Sequence, residues 1–265
     1  MELPVFPSNK EPVIIVLTVQ TNSPQKIRVV VTDRNKANTV YTNRYNTVNG
    51  KYSFYIRMPQ SPPKATISVF NEANGNQLPN VDKSFRVLSA RPTPFKSNKM
   101  KVWEWKNEDV KEFVKFAQKF SEEAGYLSAG RSIYYSDNGK FRIDYVDVIA
   151  DNGQPLNTPA RIDKDKGIIE IAKDKFSRYT IPMRMAILLH EFAHFNLNKV
   201  QDDEIEADLN ALLIYLGMGY PRVEAYQAFT SVFIKSPSML NKERIDEINK
   251  FITNFERLPF QIQYA

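Results

Sequence analysis

Leu188-Leu189-His190-Glu191-Phe192-Ala193-His194-Phe195 is the stretch that decides the fold. It holds the pattern His-Glu-x-x-His, and both of the chain's 2 histidines lie in it. Two histidines placed at random would fall four apart with a glutamate after the first roughly four times in ten thousand, so chance is a poor account of the match. The flanks predict a helix. Thr180 suits a helix cap, Pro182 is tolerated only in a first turn, and Met183 to Leu197 contains no breaker. Four residues make about one turn, so His190 and His194 leave one face with Cβ atoms about 5–6 Å apart. Two imidazoles so placed can share one Zn²⁺ through bonds of about 2.0–2.1 Å. Glu191 lies about 100° further round the helix. It is too far round to be a third ligand, yet placed to take a proton from a water on the metal. A core helix with two buried histidines is the plainer reading, but it gives no reason for the glutamate between them.

The third ligand has to be a carboxylate, because no further histidine and no cysteine exists. Downstream lies Asp202-Asp203-Glu204-Ile205-Glu206-Ala207-Asp208. The residues between His194 and Glu204 suffice to end one helix, turn and start an antiparallel neighbour. Glu204 then sits in that neighbour's first turn, facing the histidines. Asp208, one turn on, can accept a hydrogen bond from the outer N–H of a ligand histidine and fix its tautomer. Asp202 and Asp203 read as acids favoured by a helix N-terminus.

Glu204-x-Glu206-Ala207-Asp208 after His-Glu-x-x-His resembles the gluzincins, most closely the family of the bacterial heat-shock membrane protease and the CAAX prenyl endopeptidase. In that family the first glutamate of Glu-x-x-x-Asp is the zinc ligand, which maps to Glu204. Gly219-Tyr220, Glu224-Ala225 and Phe229 are similar to a run after the family's ligand helix, and Ala160 to Ala172 to its strand before the active helix. Ser236-Pro237 and Arg244-Ile245 resemble a His-Pro…Arg-Ile pattern, with serine in place of the histidine and a longer spacing. The likeness covers roughly residues 155–250. It implies a zincin-like fold and a zinc-dependent endopeptidase of gluzincin type. Zinc would sit on His190, His194 and Glu204, with Glu191 as general base and Asp208 behind the ligands. Candidates for the oxyanion donor are Arg244, Tyr220 and Arg184, and Arg244 owes its rank to the resemblance alone. In zinc peptidases of this shape an edge strand binds extended substrate through its main chain. That role is assigned to Ile168, Ile169, Glu170, Ile171 and Ala172. The rival is a non-catalytic structural or docking component of a large assembly, such as a virion, that keeps a zincin fold. Glu191 argues against it, since a purely structural zinc site has no use for a general base.

With 42% hydrophobic residues, 265 residues can bury two cores. The absence of cysteine excludes disulfides and thiolate metal sites. No signal peptide is seen at Met1–Lys10, and the longest apolar run, Val13–Leu17, is far too short for a bilayer. The expectation is a cytoplasmic or assembly-associated enzyme, with a protein or peptide as substrate.

The fold class expected is α+β: an all-β accessory or docking domain at 1–92, a linker at 93–99, and the zincin-like domain at 100–265. Residues 12–90 read as six short strands, Pro12–Gln20, Lys26–Thr32, Thr39–Tyr45, Lys51–Met58, Ala65–Asn71 and Lys83–Leu88. Asn49-Gly50 and Asn74-Gly75 read as turns between strands. Six or seven strands at this spacing suggest an Ig-like or C2-like sandwich. Charge is uneven. Residues 1–92 carry 12 Lys+Arg against 5 Asp+Glu, and the rest 24 against 25, so the net charge of +6 belongs to the N-terminal part. A basic module can dock on an anionic partner, but no motif marks nucleic acid as a specific ligand. In the second half, Asn107–Ala124 reads as an amphipathic helix. Asn138-Gly139 and Lys164–Gly167 read as hairpin turns, residues 151–159 as a loop, and Tyr220–Phe233 and Leu240–Phe255 as closing helices.

Overall fold

The computed structural model describes residues 6–7, 11–36, 38–75, 82–94, 107–128, 132–230 and 238–257, the side chains of residues 6, 7, 256 and 257 excepted. The chain divides into two compact units, Met1–Lys96 and Ser97–Ala265. The first is sheet-rich and the second mixes sheet with helices.

The first unit is one five-stranded sheet. Its strands are β1 (Phe6–Pro7), β2 (Val13–Asp33), β3 (Val40–Met58), β4 (Lys64–Asn71) and β5 (Phe85–Pro94). Four of the six short strands expected from the sequence are thus fused into two long ones. The fusion has a physical reason. Between Thr21 and Gln25, β2 advances four residues while β3 moves only from Gly50 to Val48. Asn22-Ser23-Pro24 thus lie opposite the single residue Asn49, a surplus of two that bulges out, and a proline suits a position with no ladder bond to make. Asn49-Gly50 lies opposite. Gly50, at φ 77°, kinks β3 there without reversing it. Odd-numbered residues of β2 point inward on both sides of the bulge: Ile15, Leu17 and Val19, then Ile27, Val29 and Val31, all fully buried. β5 extends through Arg91–Pro94, which pair with Val16–Val13 of β2. The linker expected at 93–99 therefore begins two residues inside a strand.

In the second unit, α1 (Glu108–Glu123) starts at Asn107, whose side chain accepts from the N–H groups of Asp109 and Val110. Its stripe of Val110, Phe113, Val114, Ala117 and Phe120 is buried as expected. The main sheet holds β6 (Ser132–Tyr135), β7 (Arg142–Val146), β10 (Ala160–Asp163) and β11 (Ile168–Ala172), in the order β10-β11-β7-β6. β11 runs parallel to β7, and the other pairs are antiparallel. Alternation along the strands buries Ile143, Tyr145, Ile162, Ile169 and Ile171. The opposite face carries the ion pairs Arg142–Asp144 and Arg161–Glu170. Residues 151–159, expected as a loop, contain a small hairpin of β8 (Ala150–Asp151) and β9 (Gln154–Pro155). Its turn is Asn152-Gly153, both at positive φ, a pairing that favours a tight hairpin.

The helices α2 (Lys173–Phe176), α3 (Ile181–Asn196), α4 (Glu204–Gly217), α5 (Arg222–Ala228) and α6 (Met239–Arg257) complete the unit. Thr180 caps α3 and Pro182 lies in its first turn, as the sequence suggested. Phe192 of α3 stacks on Phe113 of α1 at 4.1 Å and meets Phe141 edge-on at 5.6 Å, which fixes the helix against its neighbours. Arg184 is fully buried, and its Nε, Nη1 and Nη2 donate to the carbonyls of Phe176, Ser121 and Ser177. It clamps α1, α2 and α3 together, and so is not the oxyanion donor it was a candidate for. Burial pushes its guanidinium down to about 10. Among the described residues no helix is long and apolar enough to cross a membrane.

Candidate metal centre

Antiparallel packing of α3 and α4 brings His190, His194 and Glu204 together, and the group could hold a metal ion. The two Nε2 atoms are 3.1 Å apart. Glu204 Oε2 lies 3.4 Å from His190 Nε2, and its Oε1 3.5 Å from His194 Nε2. Tetrahedral ligands at about 2.0–2.1 Å from one ion lie about 3.3–3.4 Å from each other. The triangle therefore has the size of three corners of such a site, and both histidines are buried.

The outer ring atoms explain why three acceptors can converge. His194 Nδ1 is 2.6 Å from the carbonyl oxygen of Gln201, which only accepts, so that nitrogen carries the proton. His190 Nδ1 is 3.0 Å from Asp208 Oδ1. With both Nδ1 atoms protonated, neutral rings aim both Nε2 lone pairs at the Glu204 carboxylate. Three lone pairs meeting at one point require a cation between them. Without a metal a proton serves in part. Burial pushes His190 down, but Asp208 and Glu204 overcome it and hold the ring up at about 9. Burial and the His190 charge hold His194 below its ordinary value. Burial pushes Glu204 up, but the His190 hydrogen bond and charge, with that of Arg244, hold it down at about 2.

Arg244 of α6 donates two hydrogen bonds to Asp208, at 2.7 and 2.9 Å, and its Nη1 lies 3.2 Å from Glu204 Oε2. Its guanidinium thus braces the carboxylates of α4. Tyr220 is buried, stacked on Tyr215 at 4.9 Å and hydrogen-bonded to Gln118, with burial pushing its hydroxyl well up. That places it in the packing between helices. Glu206, the other carboxylate near the ligands, accepts from the N–H groups of Lys199 and Val200 and so secures the loop before α4. Asp203 caps α4 through the N–H of Glu206, and Asp202 pairs with Lys164. Phe229 packs against His190 with ring centres 6.2 Å apart. Ser236 and Pro237 lie outside the described residues.

Glu191 is buried between α3 and β10, where its carboxylate accepts from the main-chain N–H of Ile162. Burial is the main cause that pushes it up to about 7, within reach of a group that must take and return a proton. The strand beside it is not the one expected from sequence. Ile168–Ala172 pairs with β10 on one side and β7 on the other, so its main chain has no free edge. Among the described residues the edges of this sheet are β10 and β6, and β10 is the one beside Glu191. The Ala172 N–H donates to Pro159 O, and in an antiparallel pair such bonded positions alternate. Residues 161 and 163 therefore bond to β11, while the main-chain groups of Ala160 and Ile162 point away from it; Glu191 takes the Ile162 N–H and Thr158 Oγ1 donates to the Ala160 C=O at 2.7 Å, so the Ala160 N–H and the Ile162 C=O face outward.

The turn after β10 is tied to the ligand loop. Lys164 pairs with Asp202, and Gln201 Nε2 donates to Lys164 O at 3.3 Å. Sequence reasoning missed Gln201, Lys164 and the bracing by Arg244. A main-chain carbonyl leaves no mark in a sequence, and Arg244 and Asp208 lie 36 residues apart with no spacing rule to join them. No family model and no curated protein sequence matches the chain.

Proposed function

We propose that the second unit is a zinc-dependent endopeptidase with a zincin-like fold, of the gluzincin type that the His-Glu-x-x-His and Glu-x-x-x-Asp motifs resemble. The observation that carries this reading is the triangle of His190, His194 and Glu204 with Glu191 buried next to it at the free edge of β10. His190, His194 and Glu204 would hold the ion, with Asp208 and the Gln201 carbonyl keeping each Nε2 free to bind. Zinc, when bound, supplies a Lewis acid that lowers the pKa of a coordinated water to about 7. Glu191 accepts the proton of the attacking water and delivers it to the leaving amine. The outward Ala160 N–H and Ile162 C=O pair with an extended peptide and set its scissile bond beside Glu191. Arg244 holds Glu204 and Asp208 in register. The first unit, read as an Ig-like or C2-like accessory module, would bring the enzyme to an anionic partner.

Metal analysis with a protease assay tests the proposal. Purified protein should carry about one zinc per chain and cleave an unstructured protein such as casein in a chelator-sensitive way. Full zinc occupancy after His190→Ala or His194→Ala would overturn the ligand assignment. A metal-loaded protein that cleaves neither casein nor co-expressed proteins would favour the non-catalytic assembly component.

A further inference from the structure

On the half of the first sheet where β2 is flanked by β3 and β5, the outer face sets an uncharged column between two that carry cations. Its middle column, Ile14, Val16, Thr18 and Gln20 of β2, is uncharged. On the β3 side the registered partners are Arg57, Tyr55, Ser53 and Lys51. On the β5 side Arg91 lies opposite Val16, and Arg86 opposite Gln20. Neighbouring strands are about 4.8 Å apart, so the two cationic columns stand about 10 Å apart over an uncharged floor, and Lys51 to Arg57 spans about 20 Å.

No acid stands among the registered residues of this face. Asp33 and Asp82 are buried, and they accept hydrogen bonds from turns: Asp33 from the Asn35 N–H, Asp82 from Ser84 and Asn74. They do not offset the surface cations. Tyr55 stands in the cationic column and is 63% exposed. An aromatic ring so exposed contributes little to a core, and here its neighbours in the column are Ser53 and Arg57.

We propose that this face binds single-stranded nucleic acid without sequence specificity, the phosphates lying on Lys51, Arg57, Arg86 and Arg91 and a base stacking on Tyr55. The geometry selects this occupant. A strip about 10 Å wide with charged rims and an uncharged floor suits one backbone and its bases, and stacking on an aromatic is indifferent to base identity. A duplex would reach the rims but leave Tyr55 without a base to stack on. An acidic protein would use the cations and have no need of the uncharged channel between them. The inference is independent of the peptidase reading, because no residue of the metal centre enters it.

The test is fluorescence anisotropy of the full-length protein with a labelled single-stranded 15-mer. Micromolar binding is expected at about 50 mM salt, weakening as salt rises. Charge reversal of Arg86 and Arg91 together should weaken it more than tenfold and flatten the log–log salt slope by about 1.4, since each single-strand phosphate contact contributes about 0.7. Tyr55→Ala should weaken it about tenfold while leaving that slope unchanged. All the substituted side chains are exposed, and unchanged thermal melts of the variants would show the sheet intact; Arg86→Gln with Arg91→Gln serves as the milder pair. Three results would overturn the proposal: no binding at low salt, equal affinity for duplex with no effect of Tyr55→Ala, or displacement of the strand by polyglutamate at equal charge. The last would mark an acidic protein as the partner.

Discussion

At the scale of single residues, His190 links the metal centre to pH. Its ring is held up at about 9 in the metal-free protein, against an ordinary value of 6.5, so at neutral pH a metal must displace a proton from it. Apparent zinc affinity should therefore rise about tenfold per pH unit from 7 towards 9, with about one proton released per metal bound. Titration calorimetry in two buffers of different ionisation heat measures this, and a pH-independent affinity would contradict the arrangement. The sign for stability follows. The protonated His190 pair stabilises the metal-free fold below about 6.5 and loses that effect as pH rises to about 9. Zinc should accordingly raise the melting temperature most on the alkaline side. Arg244 gives a second residue-scale prediction. Its removal leaves Asp208 buried without its bidentate partner, so Arg244→Met should cost about 3 kcal/mol. Part should return in Arg244→Met with Asp208→Asn, and strict additivity in a denaturant double-mutant cycle would deny the pair. Of these residues, His190, Glu191, His194, Glu204 and Asp208 were legible, because helical spacing converts a sequence pattern into a shared face. The bracing role of Arg244 was not, because a contact between distant segments obeys no spacing.

At the scale of elements, the hairpin of β10 and β11 connects the proposed substrate edge to the ligand loop. Gly167 in its turn has φ 68°, and a Cβ there would lie 2.8 Å from the Phe195 ring. The ring can swing aside, but the left-handed backbone remains, so Gly167→Ala should destabilise the unit by about 1–2 kcal/mol. An unshifted denaturation midpoint would show that the turn tolerates a side chain. The same elements show where sequence reading succeeds and fails. The hairpin's two strands and turn could be placed from alternation and the Lys164–Gly167 signal. Which strand lies at the edge could not, because sheet order depends on the parallel pairing of β11 with β7, made across a crossover. Asn49-Gly50 misled for a related reason. The dipeptide favours positive φ, and whether that reverses a chain or kinks it depends on the bulge opposite. Asn152-Gly153 carried the same signal and does turn the chain, between β8 and β9.

At the scale of the whole molecule, the claim is that catalysis and docking are divided between two units, with every metal ligand in the second. Residues 97–265 should therefore fold and bind zinc alone, and a fragment that aggregates or lacks metal would show that the two units depend on each other. The division of charge and the all-β character of the first half were legible from composition and strand patterning. The fusion of its short strands into two long ones was not, since strand length is set by a bulge with no sequence rule of its own. The central claim, a peptidase working through Glu191, is tested most directly by Glu191→Gln in the full-length chain. Glutamine is nearly isosteric and is not needed to hold the ion, but it cannot accept a proton from the attacking water. Zinc content and melting curve should be retained. Cleavage of casein, and of the proteins co-expressed with the chain, should fall by about 10²–10⁴-fold. Identical cleavage patterns for the two proteins, with zinc present in both, would contradict the account.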